Sequence, residues 1–146
     1  MRNKNQKGFP LIELLVVIAI IGLLASVVLL ALSSARQKSR DAKRLADIRQ
    51  LASALELYFN DNSRYPTGAE FATGTTSGGT VYIAPDYIGQ VPTAPAPNDG
   101  TCTAGQNTYT YTQTSSGASY TLTFCLGAMT GGTAAGTHTL SPSGIQ

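Results

Sequence analysis

The hydrophobic pattern of the chain changes near residue 32, and each part predicts a different kind of helix surface. Residues 9–32 are apolar apart from one charge, and their uncharged part, Leu14 to Leu32, is 19 residues long. As a helix this part spans roughly 29 Å, the hydrocarbon thickness of a bilayer. Beyond it, apolar residues recur at spacings of three and four, namely Leu45, Ile48, Ala52, Leu55 and Phe59. We therefore predict one helix over about residues 9–59.

The second half of the chain alternates polar and apolar residues with the period of two that is typical of strands. Residues 109–112 and 120–124 alternate strictly, and the turn formers at 115–118 predict a β-hairpin between them. Two more short strands and an exposed tail are expected at residues 81–83, 137–140 and 141–146. The predicted fold class is α+β, a long N-terminal helix packed on a small antiparallel sheet through Tyr120, Leu122 and Phe124.

Charged residues are distributed unevenly along the chain. All ten Lys and Arg residues lie at or before Arg64, and after Glu70 the only charged side chains are Asp86 and Asp99. The chain therefore has a charged, helical front and a neutral back rich in Thr, Gly, Ser and Ala.

Six basic and two acidic residues lie within the range 36–49. We interpret this range as a solvated helix face, supported by pairs such as Lys38/Asp41 and Lys43/Asp47. The alternative is a patch that binds nucleic acid or lipid headgroups. Because aromatic residues are not interleaved with the basic ones, DNA is a possible but unsupported partner.

Glu13 is the one charged residue within the apolar segment. A carboxylate is expensive to bury in lipid, so an acidic residue at this place is by default a functional one. The positive end of the helix dipole partly offsets the cost. The alternative interpretation is that Glu13 lies at the membrane interface and its carboxylate reaches water.

Two short segments, one near each end of the predicted helix, carry recognisable motifs. Lys-Gly-Phe at residues 7–9, followed by Leu-Ile-Glu-Leu at 11–14, resembles the type IV prepilin signature. The segment LYFNDNSRYPT at residues 57–67 resembles the helix exit of type II secretion major pseudopilins and related bacterial pilins. The chain therefore resembles the type IV pilin and type II secretion pseudopilin family. It departs from the family at Pro10, where a small residue, most often Thr, is usual.

The resemblance implies how the N-terminus is processed and used. A prepilin peptidase would cut between Gly8 and Phe9 and methylate the new N-terminal nitrogen of Phe9. Glu13 would then pair with the N-terminal amine of a neighbouring subunit, since two charges buried in a filament core need each other. The implied partners are further copies of the chain in a helical homopolymer, the peptidase, the inner-membrane assembly machinery and, before assembly, membrane lipid.

The implied organisation has four parts, a leader peptide, a transmembrane and filament-core helix, an amphipathic helix half and a β-rich head, at residues 1–8, 9–32, 33–62 and 63–146. The leading hypothesis is a structural subunit of a type IV pilus-like filament, not an enzyme, held in the cytoplasmic membrane and later part of a surface filament. The alternatives are a type II secretion pseudopilin and a membrane-anchored surface binding domain that never polymerises.

The remaining candidate chemistry is sparse. Cys102 and Cys125 are not spaced like a metal motif, and if this half is exported a disulfide is favoured over two free thiols. His138 fits a strand residue better than a ligand or base. The dispersed acidic residues do not resemble a calcium loop; they are Asp61, Glu70, Asp86 and Asp99. No metal, cofactor or catalytic constellation is predicted.

Overall fold

The computed structural model describes residues 11–72 and 81–146, and the chain divides into two compact units, Met1–Arg36 and Gln37–Gln146. The first unit contains the N-terminal part of a long helix. The second unit contains the rest of that helix, a small sheet and the loops that connect them.

The helix, α1, comprises Leu11–Asn62. No proline lies within these residues and the only glycine is Gly22, so every interior residue can keep its backbone hydrogen bond. The helix ends where Ser63 takes a positive φ of 55° and its N–H donates to the carbonyl oxygen of Phe59 at 2.7 Å. The predicted long helix is confirmed from residue 11 onward, and it ends three residues beyond the expected end; its predicted start at residues 9 and 10 lies outside the described residues.

A four-stranded antiparallel sheet lies in the second unit, with its strands side by side in chain order. The strands are β1 (Thr110–Thr114), β2 (Ser119–Leu126), β3 (Gly136–Ser141) and β4 (Gly144–Ile145). Strands β1 and β2 form the predicted hairpin, with Tyr111 opposite Leu122. The expected strand near residues 137–140 is confirmed as β3. The α+β fold class is therefore confirmed.

The strand expected at residues 81–83 is not formed. Ile83 is fully buried, but its N–H donates to the carbonyl oxygen of Glu70 at 2.9 Å, and the N–H of Ala84 reaches the carbonyl oxygen of Ala72. The apolar residues here serve as a buried anchor for a loop, and a short apolar run does not distinguish that role from a strand.

The expectation of an exposed tail at residues 141–146 is met only in part, because Pro142, Ser143 and Gln146 are exposed but the segment also forms β4. Ile145 of β4 pairs with Leu140 of β3 and packs against the core. The backbone groups of Gln146 and Thr139 exchange two hydrogen bonds, at 2.9 and 3.1 Å. A turn with Gly144 at φ 111° returns the chain onto the sheet, which glycine permits at little cost.

The hydrophobic core of the second unit lies between one face of α1 and one face of β2. Tyr120, Leu122 and Phe124 are at most 1% exposed, as predicted from their alternation. They belong to one buried cluster with the helix residues Leu45, Ile48, Leu51, Ala54 and Leu55. The cluster fixes which side of α1 is buried, and therefore which charged residues of the helix are carried inward with it.

Candidate functional site

The first unit presents an apolar surface that the described structure leaves uncovered. Sixteen large apolar side chains between Leu11 and Leu32 are exposed, from 42% at Leu32 to 86% at Leu11. Covering such side chains is favourable by about 1.5–3 kcal/mol each, so the sum is on the order of tens of kcal/mol. By length and composition this stretch of α1 can cross a membrane, with a mean hydropathy of 3.2 over its best window.

Glu13 lies in the first turn of α1 as described, where free N–H groups and the helix dipole favour an anion. Its side chain is exposed, as are those of its apolar neighbours. Gly8, Phe9 and Pro10, the other residues of the predicted processing site, lie outside the described residues. Within the second unit, a different group of charges takes part in the fold.

Asp41 and Arg44 form a buried ion pair on the inner face of α1. Asp41 is 0% and Arg44 1% exposed, and Nη1 of Arg44 donates to Oδ1 of Asp41 at 2.7 Å. The same Nη1 reaches Oδ2 of Asp99 at 3.2 Å, and Arg40 holds Asp99 through two hydrogen bonds, one of them from Nε at 2.6 Å. Hydrogen bonding from Arg40 and then Arg44 lowers the pKa of Asp99. Four charges therefore neutralise one another inside the unit.

The pair also binds two loops to the helix. The carboxylate of Asp41 accepts hydrogen bonds from the N–H groups of Gly127 and Ala128, at 3.0 and 2.9 Å. Nη2 of Arg44 donates to three oxygens of the loop before β1, those of Pro95, Pro97 and Asn107. Among the described residues, Nε of Arg44 is the one buried side-chain polar atom with no partner. The network explains how segments with little hydrophobic character are held in place.

The expectation that residues 36–49 form a simple solvated face is therefore wrong. Asp41 pairs with Arg44 instead of Lys38, and Asp47 is 8% exposed and accepts a hydrogen bond from the Tyr109 hydroxyl at 2.9 Å. Burial, followed by the bond to Asp47, raises the pKa of Tyr109. Helix spacing alone favoured the surface pairs, but the apolar stripe carries both carboxylates to the inner side.

The two loops approach each other so closely that only glycine fits. A Cβ on Gly100, whose φ is +53°, would lie 1.9 Å from the carbonyl oxygen of Gly127. Close to this contact, a disulfide joins Cys102 of the first loop to Cys125 of β2, with the Cα atoms 5.9 Å apart. The contact, the disulfide and the ion network all act on the same pair of segments.

A second ion pair joins the two ends of the segment that follows α1. Both Nη atoms of Arg64 donate to Glu70, each at 2.7 Å. This pairing lowers the pKa of Glu70 to about 2. The backbone oxygen of Tyr65, between these two residues, accepts a hydrogen bond from Nε2 of Gln113 in β1 at 2.6 Å. The exit of the helix is thereby attached to the edge of the sheet.

Two of the four acidic residues that were considered for calcium have other roles. Glu70 and Asp99 are neutralised by arginines, as described above. Within residues 11–72 and 81–146 there is no group of three or more His, Cys, Asp or Glu side chains that could hold a metal ion. His138 lies in β3, its ring 5.7 Å from that of Phe124.

Known proteins match both the N-terminal motif and the chain beyond it. The family described as the prokaryotic N-terminal methylation motif matches residues 3–29. The type II secretion system core protein G of Klebsiella michiganensis is 49% identical over 67 residues, 46% of this chain and 47% of that protein. The protein of the same name from Escherichia coli K12 is 37% identical over 101 residues, 65% of this chain and 70% of that protein. The chain belongs to the family of the type II secretion system core protein G.

Membership in the core protein G family agrees with the two resemblances in the sequence. The chain spans about half the length of the first two curated relatives, 47% in each. No solved structure matches it. The relatives' names favour the pseudopilin alternative over the pilus interpretation that we preferred from the sequence.

Reasoning from the sequence missed the network of Arg40, Asp41, Arg44 and Asp99. One signal was available, because Asp41 and Arg44 continue the apolar stripe of Leu45 and Ile48 by helical spacing and so lie on its side. The partner Asp99 is 55 positions from Arg44, and no local pattern predicts that contact.

Proposed function

We propose that this chain is a pseudopilin, a structural subunit of a type II secretion filament that is stored in the membrane before assembly. The observation that carries the proposal is the exposed apolar surface of residues 11–32 with its single carboxylate at Glu13, in a chain of the core protein G family. A helix with such a surface is stable in lipid or against other helices of its kind, but not in water.

Transfer from lipid to filament is the step in which Glu13 has a role. In the filament core its carboxylate pairs with the N-terminal amine of a neighbouring copy, and a buried charge of either sign is costly without the other. The pairing would also fix the axial register between copies, because only one offset along the helices brings the two charges together.

The amine that Glu13 requires is created by processing. A prepilin peptidase cleaves between Gly8 and Phe9, releases residues 1–8 and methylates the nitrogen of Phe9. The mature chain then consists of a core helix (9–32), an amphipathic helix half (33–62) and a head (63–146), delivered by the inner-membrane assembly machinery. Intact mass of the natively produced protein tests this directly, and a chain that retains residues 1–8 would contradict it.

The assembly role of Glu13 is tested by substitution in a strain in which the unaltered chain forms filaments that can be sheared from the cells and measured. We expect Glu13→Gln to leave membrane insertion and cleavage unchanged, while the filament yield falls at least tenfold. Ser26→Ala is the matched control within the apolar segment, since the Ser26 hydroxyl donates to the carbonyl oxygen of Leu23 in the same helix and to no other described residue. Normal filaments from Glu13→Gln would refute the pairing. The alternative of an anchored domain that does not polymerise predicts instead that the unaltered chain itself yields no filaments.

A type IV pilus subunit is the second candidate, because the matched methylation motif is not specific to secretion. Complementation separates the two. A pseudopilin restores export of a secreted enzyme in a strain that lacks its core protein G, whereas a pilus subunit restores surface fibres in a strain that lacks its major pilin.

A further inference from the structure

The fold sorts the charges of residues 37–49 into an inner and an outer set. Both carboxylates, Asp41 and Asp47, are buried. Arg40 forms an ion pair with Asp99, and Arg44 forms one with Asp41. The exposed charges that remain are all positive, and they belong to Lys38, Lys43 and Arg49. The sequence suggests a mixed run, but the folded helix presents a basic surface to its surroundings.

The position of this surface along α1 indicates what it meets before assembly. Lys38 follows Leu32, the end of the apolar segment, by six residues, which is about 9 Å at ~1.5 Å per residue. The headgroup layer is about 5–7 Å thick on each side of the hydrocarbon. Lys38 therefore lies within one Debye length, about 8 Å at physiological ionic strength, of the phosphates.

We propose that Lys38, together with the exposed Arg36 that precedes it in α1 and with a smaller contribution from Lys43, binds anionic phospholipid headgroups while the subunit is stored in the membrane. The inference rests on the membrane-stored state of the proposed function. Lys43 is about 16 Å and Arg49 about 25 Å beyond Leu32 by the same helical rise, so attraction to the phosphates decreases in that order. A lysine near a membrane surface contributes about 1 kcal/mol, equivalent to a fivefold preference for an anionic lipid.

Pairing of Asp41 with Arg44 inside the second unit neutralises the acidic residue that helical spacing places beside Lys38, and this makes the attraction effective. A carboxylate exposed beside each lysine would cancel most of its field at the distance of a headgroup. The buried network thus has two effects: it binds loops to the helix, and among the described residues it leaves Lys38 without an exposed acidic neighbour on α1. Assembly into a filament would then require release from these headgroups, so lipid composition would influence how readily a subunit leaves the membrane.

Quenching of tryptophan by brominated lipid tests the proposal on the full chain. The sequence contains no Trp, so Leu30→Trp introduces a single reporter near the end of the apolar segment. The protein is reconstituted in vesicles of phosphatidylcholine and phosphatidylglycerol, with one or the other lipid brominated, and the relative affinity for the two lipids is obtained from the quenching. We expect phosphatidylglycerol to be preferred about fivefold or more at low salt, and the preference to weaken as salt is added.

Variants of the basic residues give the decisive comparison. Lys38→Gln should lower the preference severalfold, Lys38→Arg should retain it, and Arg49→Gln, the matched control far from the headgroups, should leave it unchanged. The proposal is overturned if Lys38→Gln keeps the preference, or if Arg49→Gln loses as much of it. It is likewise overturned if Lys38→Gln reduces filament yield or DNA retention without changing the lipid preference, which would assign the surface to carboxylates of a second copy or to nucleic acid.

The outcome is independent of the Glu13 experiment, because the vesicles contain unassembled subunits. Quenching by both brominated lipids without a preference would contradict only the headgroup inference. Quenching by neither would contradict the membrane-stored state, and both proposals would fail together.

Discussion

At the scale of single residues, Arg44 holds more of the second unit together than any other described charge. Its guanidinium donates hydrogen bonds to two carboxylates and three uncharged oxygens, which belong to Asp41, Asp99, Pro95, Pro97 and Asn107. A buried pair of this kind adds little net stability over an apolar replacement of both members, but losing one member leaves the other charge buried without compensation.

We therefore expect Arg44→Met to destabilise the protein by about 3–5 kcal/mol, because Asp41 then remains buried without its cation. Thermal unfolding of the full chain in detergent, followed by circular dichroism, measures the effect. Lys43→Met is the matched control, since Lys43 is adjacent and exposed and its replacement should change stability by at most about 0.5 kcal/mol. Equal effects of the two substitutions would show that the network does not stabilise the fold.

Glu70 predicts a defined dependence of stability on pH. Its pKa is lowered from 4.5 to about 2, first by hydrogen bonds from Arg64, so the folded state favours the carboxylate more than the unfolded state does. The contribution is present above pH 4.5 and is lost as the pH falls toward 2. Because Arg64 is 41% exposed, solvent screening reduces the contribution to about 1 kcal/mol.

The measurement compares the unaltered chain with Glu70→Gln across this pH range. Their difference in melting temperature should be constant above pH 4.5 and should disappear as the pH approaches 2. A difference that stays constant down to the lowest pH would mean that the carboxylate charge of Glu70 is not responsible for the stabilisation.

At the scale of elements, two segments pack against each other, the loop after Asp99 and the turn after β2. Close backbone contact holds them together, in addition to the ion pairs. The Gly100–Gly127 contact leaves no room for a Cβ, and the Cys102–Cys125 disulfide crosses close to it. These loops contain few buried apolar residues, so geometry and cross-links replace hydrophobic packing as the source of order.

Gly100→Ala should therefore destabilise the protein by about 3 kcal/mol, since the methyl group would meet the Gly127 carbonyl oxygen and the positive φ of +53° is strained for alanine. Gly105→Ala is the matched control in the same loop, because a Cβ there meets no atom within 4 Å. Urea unfolding of both variants measures the free energy of unfolding. If Gly100→Ala left it unchanged, the two segments would separate readily.

The same elements show how far the sequence could predict the structure. Periodicity predicted α1 and the β1–β2 hairpin, because an apolar stripe or a strict alternation is encoded in neighbouring residues. It could not predict that residues 81–83 anchor a loop, or that β4 adds to the sheet through Ile145, because both depend on partners far along the chain. For Glu13 the sequence alone was sufficient to predict a functional role for the carboxylate. A single charge within an apolar segment is costly in lipid and therefore requires an explanation.

At the scale of the whole molecule, the two compact units divide the apolar residues between two purposes. The apolar residues of Met1–Arg36 are exposed where the structure describes them, whereas the hydrophobic core lies within Gln37–Gln146. A subunit that is held by lipid and later by other helices needs a head whose folding does not depend on either environment. Its core cluster, its disulfide and its ion pairs all lie within the second unit, and this predicts that the unit folds alone.

We expect a fragment of residues 37–146 to be soluble, monomeric and oxidised, with a melting temperature within a few degrees of that of the full chain in detergent. The fragment retains every residue of the buried cluster, and the large apolar side chains that it loses between Leu11 and Leu32 are exposed. Analytical ultracentrifugation measures the oligomeric state, and circular dichroism measures the melting temperature. A fragment of residues 50–146 is the control, because it lacks Asp41, Arg44, Leu45 and Ile48 and should not fold cooperatively. If both fragments fold equally well, the start of the amphipathic half is not part of the folded head; if neither folds, the head depends on the helix that precedes it.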